Sequence, residues 1–370
     1  VRVFFDCRYV RTGRPDGITR YTVSLLAEFA KLHPVTMLVS SREQLAVLPG
    51  LPWELIPSQT SPLEPWVAYR VNRLQPDIVF SPMQTMGSRG RRYALVLTVH
   101  DLIYYTHRTP PRDLPWFVRG AWRLYHLAWW PQRMLLNGAD QIVAVSQTTK
   151  ELILRKRLAR RPVSVVHNSA GEPAPEVHEF ALHRAPPRGT PRQLVHMGQF
   201  LPYKNVDALV RAMAFLPGYE LHLMSPVTDA ERERLRALAP GAALVFRNGA
   251  SDAEYEDALL GAHALVTTSW DEGFGIPVLE AMRVGTPVVA SDIPIFREVG
   301  GEAAVFADPS SPEDVARGIR SLEDPDAWVA ASRAGIAQAA RFSWAASAQH
   351  LLTVLTAAHA RWLARSARRR

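Results

Sequence analysis

In the run Asp271-Glu272-Gly273-Phe274-Gly275-Ile276-Pro277-Val278-Leu279-Glu280-Ala281-Met282, two carboxylates flank a glycine turn that leads straight into a helical pattern. Pro277 suits the first helical position, where its missing N–H costs nothing, and Gly285 closes the helix. Gly273 and Gly275 let the backbone come close to a ligand. The free N–H groups of the first turn, with the helix dipole, make an anion site where a diphosphate would sit. Glu272 falls in the loop and Glu280 in the first turn of the helix, so both face one ligand from different heights. A carboxylate beside a phosphate makes sense when it serves hydroxyl groups, and Glu280 fits a ribose diol. Taken alone, the segment is equally a tight strand-to-helix turn.

Three other segments place polar groups at similar junctions. Met197-Gly198-Gln199-Phe200-Leu201-Pro202-Tyr203-Lys204-Asn205 stands between a strand and a helix. There Lys204 supplies a point charge to a phosphate, or is simply a solvated loop lysine. Thr98-Val99-His100-Asp101-Leu102 ends a buried type of strand with a polar pair, a place where histidines are often structural. Asp16-Gly17-Ile18 precedes the first helix and offers a further glycine at a strand-to-helix turn.

The elements that must position these groups alternate along the chain. Arg2–Phe5, Val35–Val39, Asp77–Phe80, Ala94–Val99, Gln141–Val145 and Val163–Val166 read as strands with little polar alternation, as in parallel sheets covered on both faces. A helix begins just after Gly17, with Tyr21, Leu25 and Phe29 at helical spacing. The rhythm restarts with strands Gln193–Met197, Leu221–Met224, Leu244–Phe246, Ala264–Thr268 and Pro287–Ala290. Helices Val206–Leu216, Ala230–Leu238, Asp252–Leu260 and one from Pro277 alternate with them. The α/β expectation is therefore two doubly wound, Rossmann-like sheets facing a central cleft. Residues 1–170 would form the first domain and 193–345 the second. The proline-rich stretch 171–192 would link them, and 346–370 would be a C-terminal helix with a basic tail.

Composition narrows the function classes. The chain of 370 residues carries 43 Lys+Arg against 35 Asp+Glu, a formal charge of +8 that favours an anionic partner. No zinc-finger, helix-turn-helix or single-strand-binding signature accompanies the charge, which argues against nucleic acid. Part of it lies in Arg365 and Arg368-Arg369-Arg370, which read as a frayed end. The single Cys7 excludes an internal disulfide and a multi-cysteine zinc site and points to a cytoplasmic setting. No apolar run is long enough to span a bilayer, and the first residues read as a strand, not as a signal segment. Asp324-Pro325-Asp326 lies between helical patterns and reads as a structural turn.

In this order, the four chemistry-bearing segments resemble the retaining glycosyltransferases of family 4, with the GT-B fold. The resemblance runs from Asp6 to about Ala307 and is most specific from Glu272 to Glu280, the family's Glu-x7-Glu motif. Asp16 to Tyr21, Val99 to Leu102 and Ile295 to Gly301 look most like its O-antigen-type mannosyltransferase subgroup. The family implies that Glu280 binds the ribose, while Glu272 and the backbone of Gly273, Phe274 and Gly275 hold the donor sugar. Lys204 and the amides of Val278 and Leu279 would neutralise the diphosphate. Gly17 would approach the phosphates and acceptor, His100 would lie beside the anomeric centre, and Arg247 would lie near the base. Gln199 stands where the wider family has Arg, and Arg20 is a candidate replacement.

The implied reaction moves a hexose, mannose from GDP-mannose, onto a hydroxyl of a glycan or polyprenyl-linked acceptor. It proceeds with retention and needs no metal or other cofactor. The alternatives are a UDP-sugar donor, or a non-catalytic nucleotide-sugar-binding protein on the same scaffold. The segment Trp116–Trp129 is unusually aromatic. On a helical wheel Phe117, Val118, Ala121, Trp122, Leu124, Tyr125, Ala128 and Trp129 share one arc, opposite Arg119, Arg123 and His126. That pattern fits either a helix docked on the first sheet or a peripheral contact with the anionic inner face of the plasma membrane.

Overall fold

A computed structural model describes residues 1–13, 16–110 and 115–368, the side chain of Ala121 excepted. Arg369 and Arg370 of the basic tail lie outside the described residues. The first sheet contains β1 (Val3–Asp6), β2 (Val35–Val39), β3 (Trp53–Leu55), β4 (Ile78–Ser81), β5 (Ala94–Val99), β6 (Gln141–Ala144) and β7 (Val163–Val165). Their spatial order is β3-β2-β1-β4-β5-β6-β7, with every neighbouring pair parallel. The second contains β8 (Arg192–His196), β9 (Tyr219–Leu223), β10 (Ala243–Phe246), β11 (Ala264–Thr267), β12 (Val288–Ser291) and β13 (Val305–Ala307). Its order is β10-β9-β8-β11-β12-β13, again parallel throughout.

Burial explains the apolar strands. Every residue of β1, β4, β5 and β6 is buried, because helices cover both faces of the sheet. The helix Gly17–Leu32 starts at Asp16, whose carboxylate accepts the Thr19 N–H at 2.8 Å. Its Phe29 ring lies 5.0 Å from Phe5 of β1, which in turn lies 4.9 Å from Phe80 of β4. In the second sheet Leu209, Leu221, Val266 and the fully buried Trp328 share one core. Both sheets reverse their strand order once, between β1 and β4 and between β8 and β11. Loops leaving such neighbours diverge to opposite faces and open a crevice at the carboxyl edge.

The chain divides into two compact units, residues 1–168 with 343–370, and residues 169–342. Residues 171–192, expected as a linker, contain the helix Pro175–Leu182 and belong to the second unit. Buried Arg184 fixes them there. It donates to Val284 O at 2.9 Å, Thr286 Oγ1 at 2.6 Å and Leu260 O at 2.7 Å, and its guanidinium lies 5.2 Å from the Trp328 ring.

The helical stretch expected from Asp326 is two helices, Pro325–Ala339 and Trp344–Ala367. Asp324 caps the first by accepting the Asp326 N–H at 3.0 Å, so the Asp-Pro-Asp turn serves the helix start. The last helix packs along Gly17–Leu32 in the first unit, with Ser347 Oγ donating to His167 O at 2.8 Å and Arg365 paired with Asp140. Edge strands β3 and β13 were not expected; three residues each are too few to show a period.

The helix Trp116–Tyr125 forms, but the arc expected for it divides. Val118 and Trp122 turn partly inward, whereas Phe117, Leu124 and Tyr125 are exposed. His126 leaves the basic side, its ring 4.0 Å from Trp122. Among the described residues no helix is long and apolar enough to cross a membrane.

Candidate functional site

At the switch point of the second sheet, the loops that leave β8 and β11 are tied to each other. After β8 the chain makes a 3-10 turn, Pro202–Lys204, and passes through Asn205 at φ +50° into the helix Val206–Ala212. The Asn205 carbonyl accepts from Thr268 Oγ1 at 2.9 Å, and its side-chain amide donates to Pro309 O at 2.8 Å. Trp270 N–H donates to Tyr203 O at 2.8 Å. This lacing places the Lys204 ammonium 2.6 Å from Glu272 Oε1, which also accepts from Ser269 Oγ at 2.8 Å. Both charged groups are partly exposed, so a ligand reaches them from solvent.

The glycine turn is built for close approach. Gly275 caps the helix Ile276–Arg283 at φ +95°, and a Cβ there would stand 2.8 Å from the Phe296 ring. Phe274 is buried, its ring edge-on to Phe342 at 5.7 Å. Because Gly275 is the cap, the helix begins one residue earlier than Pro277. Glu280, buried, therefore sits in the second turn and not the first. Val278 and Leu279 bury their side chains, and the Val278 N–H donates to Gly275 O at 3.0 Å, an acceptor the sequence did not reveal.

His196, the last residue of β8, was not anticipated. Its Nδ1–H donates to Val266 O at 2.9 Å, which leaves Nε2 as a buried lone pair without a partner among the described residues. Burial pushes this imidazole down to about 4, and the Lys204 charge acts in the same direction. A Cβ on Gly198 would lie 3.1 Å from His196 Nε2 and 3.8 Å from Lys204 Cδ. Glycine thus lets the loop settle on the histidine. The available signal was a polar residue closing an apolar strand.

The other expected residues divide between the two units. Gln199 is exposed on the same loop. Arg247 follows β10, two strands from β8, and its guanidinium donates to His222 Nδ1 at 3.2 Å while His222 Nε2–H donates to Glu220 at 2.7 Å. Gly17 and His100 belong to the first unit. A Cβ on Gly17 would meet nothing within 4 Å, so nothing in the described residues demands glycine there. His100 follows β5; its Nε2–H donates to Pro82 O at 2.7 Å and its ring meets Tyr21 edge-on at 4.8 Å. Burial lowers its pKa, so the imidazole is neutral with its lone pair on Nδ1.

A second unanticipated feature lies at the switch point of the first sheet. Arg8 forks onto Asp6, at 2.8 and 3.0 Å, and onto Glu64, at 2.5 and 3.1 Å. Ser81 Oγ donates to Asp6 at 3.2 Å and Gly87 N–H to Glu64 at 3.0 Å. With its carboxylates and donors satisfied, this buried network holds the ends of β1 and β4 in place.

Comparison with known proteins agrees with this architecture. Residues 15–170 match the model described as Glycosyltransferase Family 4, and residues 179–341 match Glycosyl transferases group 1. The chain is similar to the O-antigen chain mannosyltransferase RfbU of Salmonella typhimurium, 24% identical over 339 residues, covering 84% of this chain and 88% of the relative. It is 33% identical over 266 residues to the O-antigen chain mannosyltransferase B of Escherichia coli, covering 67% and 66%. Among solved structures, sucrose-phosphate synthase from Thermosynechococcus elongatus aligns with a TM-score of 0.70 at 18% identity, covering 95% of this chain and 98% of that one. Anabaena HepE in complex with UDP and glucose aligns at 0.68 and 17%, covering 96% and 99%.

Proposed function

As a member of glycosyltransferase family 4 with the GT-B fold, this chain is a glycosyltransferase, and we propose that it transfers mannose from GDP-mannose with retention. The acceptor in this reading is a hydroxyl of a glycan or polyprenyl-linked sugar. The observation that carries it is the Lys204–Glu272 pair beside the Gly275 helix start. One group is cationic and faces an anion, the other accepts from hydroxyls, and both stand at the carboxyl edge of the sheet. The names of the two mannosyltransferase relatives support the choice of sugar.

In this mechanism the bond from the anomeric carbon to the diphosphate oxygen breaks ahead of the incoming nucleophile. Positive charge grows on the sugar and negative charge on the leaving group. The acceptor oxygen bonds to the same face, and its proton passes to the departing phosphate oxygen. Lys204 and the helix start stabilise that phosphate without a metal, a contribution of about 3 kcal/mol for each important donor. Glu272 and the backbone at 273–275 orient the sugar hydroxyls, and Glu280 takes the ribose diol. From the first unit, Gly17 serves the phosphates and acceptor. Neutral His100 offers Nδ1 to a sugar hydroxyl.

The test is thermal unfolding with GDP, UDP and their sugars, followed by turnover and analysis of the product's anomeric configuration. GDP at 100 times its Kd should stabilise the protein by about 2.7 kcal/mol. Stabilisation by UDP alone overturns the guanine donor. An inverted product overturns retention, and binding without donor consumption leaves a non-catalytic protein.

A further inference from the structure

We propose that the first unit docks on an anionic bilayer through the exposed side of two consecutive helices, Trp116–Tyr125 and Trp130–Asn137. The aromatic side chains here fall into two sets. Trp129 stacks on Tyr105 at 4.4 Å, and Trp122 meets Tyr104 at 5.1 Å and His126 at 4.0 Å, so this set fastens the helices to the unit. The other set faces solvent: Trp116 is 84% exposed and Leu124 70%, with Phe117, Leu127, Trp130 and Met134 also exposed. An isolated exposed apolar side chain is ordinary, whereas five on two adjoining short helices, with Leu127 in the turn between them, make a surface that has a use.

Charge names the occupant. From Leu114 to Ala139 the sequence holds no Asp or Glu, while Arg119, Arg123 and Arg133 lie among the apolar residues. Arg133 donates to the carbonyls of Arg157 at 3.0 Å and Lys156 at 3.2 Å, and the Lys156 ammonium lies 5.5 Å from the Trp129 ring. The aromatic helices are thereby joined to the exposed cations Arg155, Lys156 and Arg157, with exposed Glu151 one helical turn earlier in the chain. A second copy meeting this face by a twofold axis would set arginine against arginine. Anionic headgroups complement the cations, and indole and phenyl rings suit the interface below them.

The experiment is flotation of the full chain at low salt with vesicles of phosphatidylglycerol and phosphatidylcholine in a roughly one-to-two ratio, against phosphatidylcholine alone. The wild type should float with the anionic vesicles only. Arg119→Glu/Arg123→Glu should weaken partitioning by about tenfold or more, and Trp116→Ser/Phe117→Ser should weaken it at every salt concentration. Unchanged melting temperatures keep both variants interpretable. Failure of the wild type to float, or equal flotation with neutral vesicles, overturns the proposal. So does a concentration-dependent dimer that Trp116→Ser/Phe117→Ser dissolves in a chain that ignores vesicles, since the face then belongs to a second copy.

Discussion

The Lys204 ammonium donates to Glu272 Oε1 over 2.6 Å, joining the loops that leave β8 and β11. In the proposed reaction the same ammonium meets a diphosphate whose charge rises as the sugar departs. Lys204→Ala should therefore cut kcat by about a hundredfold while changing KM much less, because the lost interaction strengthens in the transition state. Steady-state kinetics decide this. A raised KM with an intact kcat removes Lys204 from the catalytic step.

Glu272→Gln separates the two halves of the pair. The amide keeps a hydrogen-bond acceptor for Ser269 Oγ but no longer holds the ammonium by charge. Lys204 then turns fully toward phosphate, and GDP should bind about fivefold tighter, a gain of ~1 kcal/mol for a partly exposed pair. Turnover with the sugar nucleotide should fall, since the sugar loses its carboxylate. Calorimetric titration of GDP checks the first half, and weaker GDP binding contradicts it.

Two buried histidines make the second unit acid-sensitive. Burial pushes His196 and His263 from near 6.5 down to about 4. The unfolded chain therefore binds more protons than the native one between these values, and stability falls as pH drops through that window. It is fully present above about pH 6.5. The ceiling is on the order of 3 kcal/mol for each histidine. Denaturation of His196→Gln and the wild type at pH 7 and pH 4.5 tests this; an equal acid loss in both shows that His196 does not contribute.

Much of the fold was legible because strands buried on both faces are written as unbroken apolar runs, and β2 and β5 fall at the expected residues. The loop positions of Lys204 and Glu272 were legible too. Their contact was not, because it depends on β8 and β11 being neighbours, which no local pattern encodes. The Asp6–Arg8–Glu64 network was missed for the same reason, Glu64 arriving from far along the chain. Residues 171–192 misled because proline content reports stiffness, whereas their place depends on distant contacts, the buried Arg184 side chain among them.

That arginine yields a stability prediction. Among the described residues Arg184 has no carboxylate partner; burial lowers its pKa to about 10, and its donors satisfy carbonyls that close two helices. Arg184→Met keeps much of the packing over Trp328 but strands those acceptors. The cost should be about 3 kcal/mol, read as a fall in the melting temperature. A loss under 1 kcal/mol means that water replaces the guanidinium and the segment is held by other contacts.

Glycine at 275 and glycine at 17 should respond oppositely to alanine. At Gly275 the backbone is left-handed and a Cβ would press on Phe296, so Gly275→Ala should destabilise by more than 1 kcal/mol and lower turnover with it. Among the described residues nothing lies within 4 Å of a Cβ on Gly17, which stands at the first position of a helix, where alanine is the better former. Gly17→Ala should therefore melt no lower than the wild type. Its effect on catalysis isolates the ligand, since a bound phosphate or acceptor is what remains to collide with the new methyl group. Turnover should fall at least tenfold at an unchanged melting temperature. If turnover is unchanged as well, no ligand approaches Gly17, and the role assigned to it in the proposed reaction is wrong.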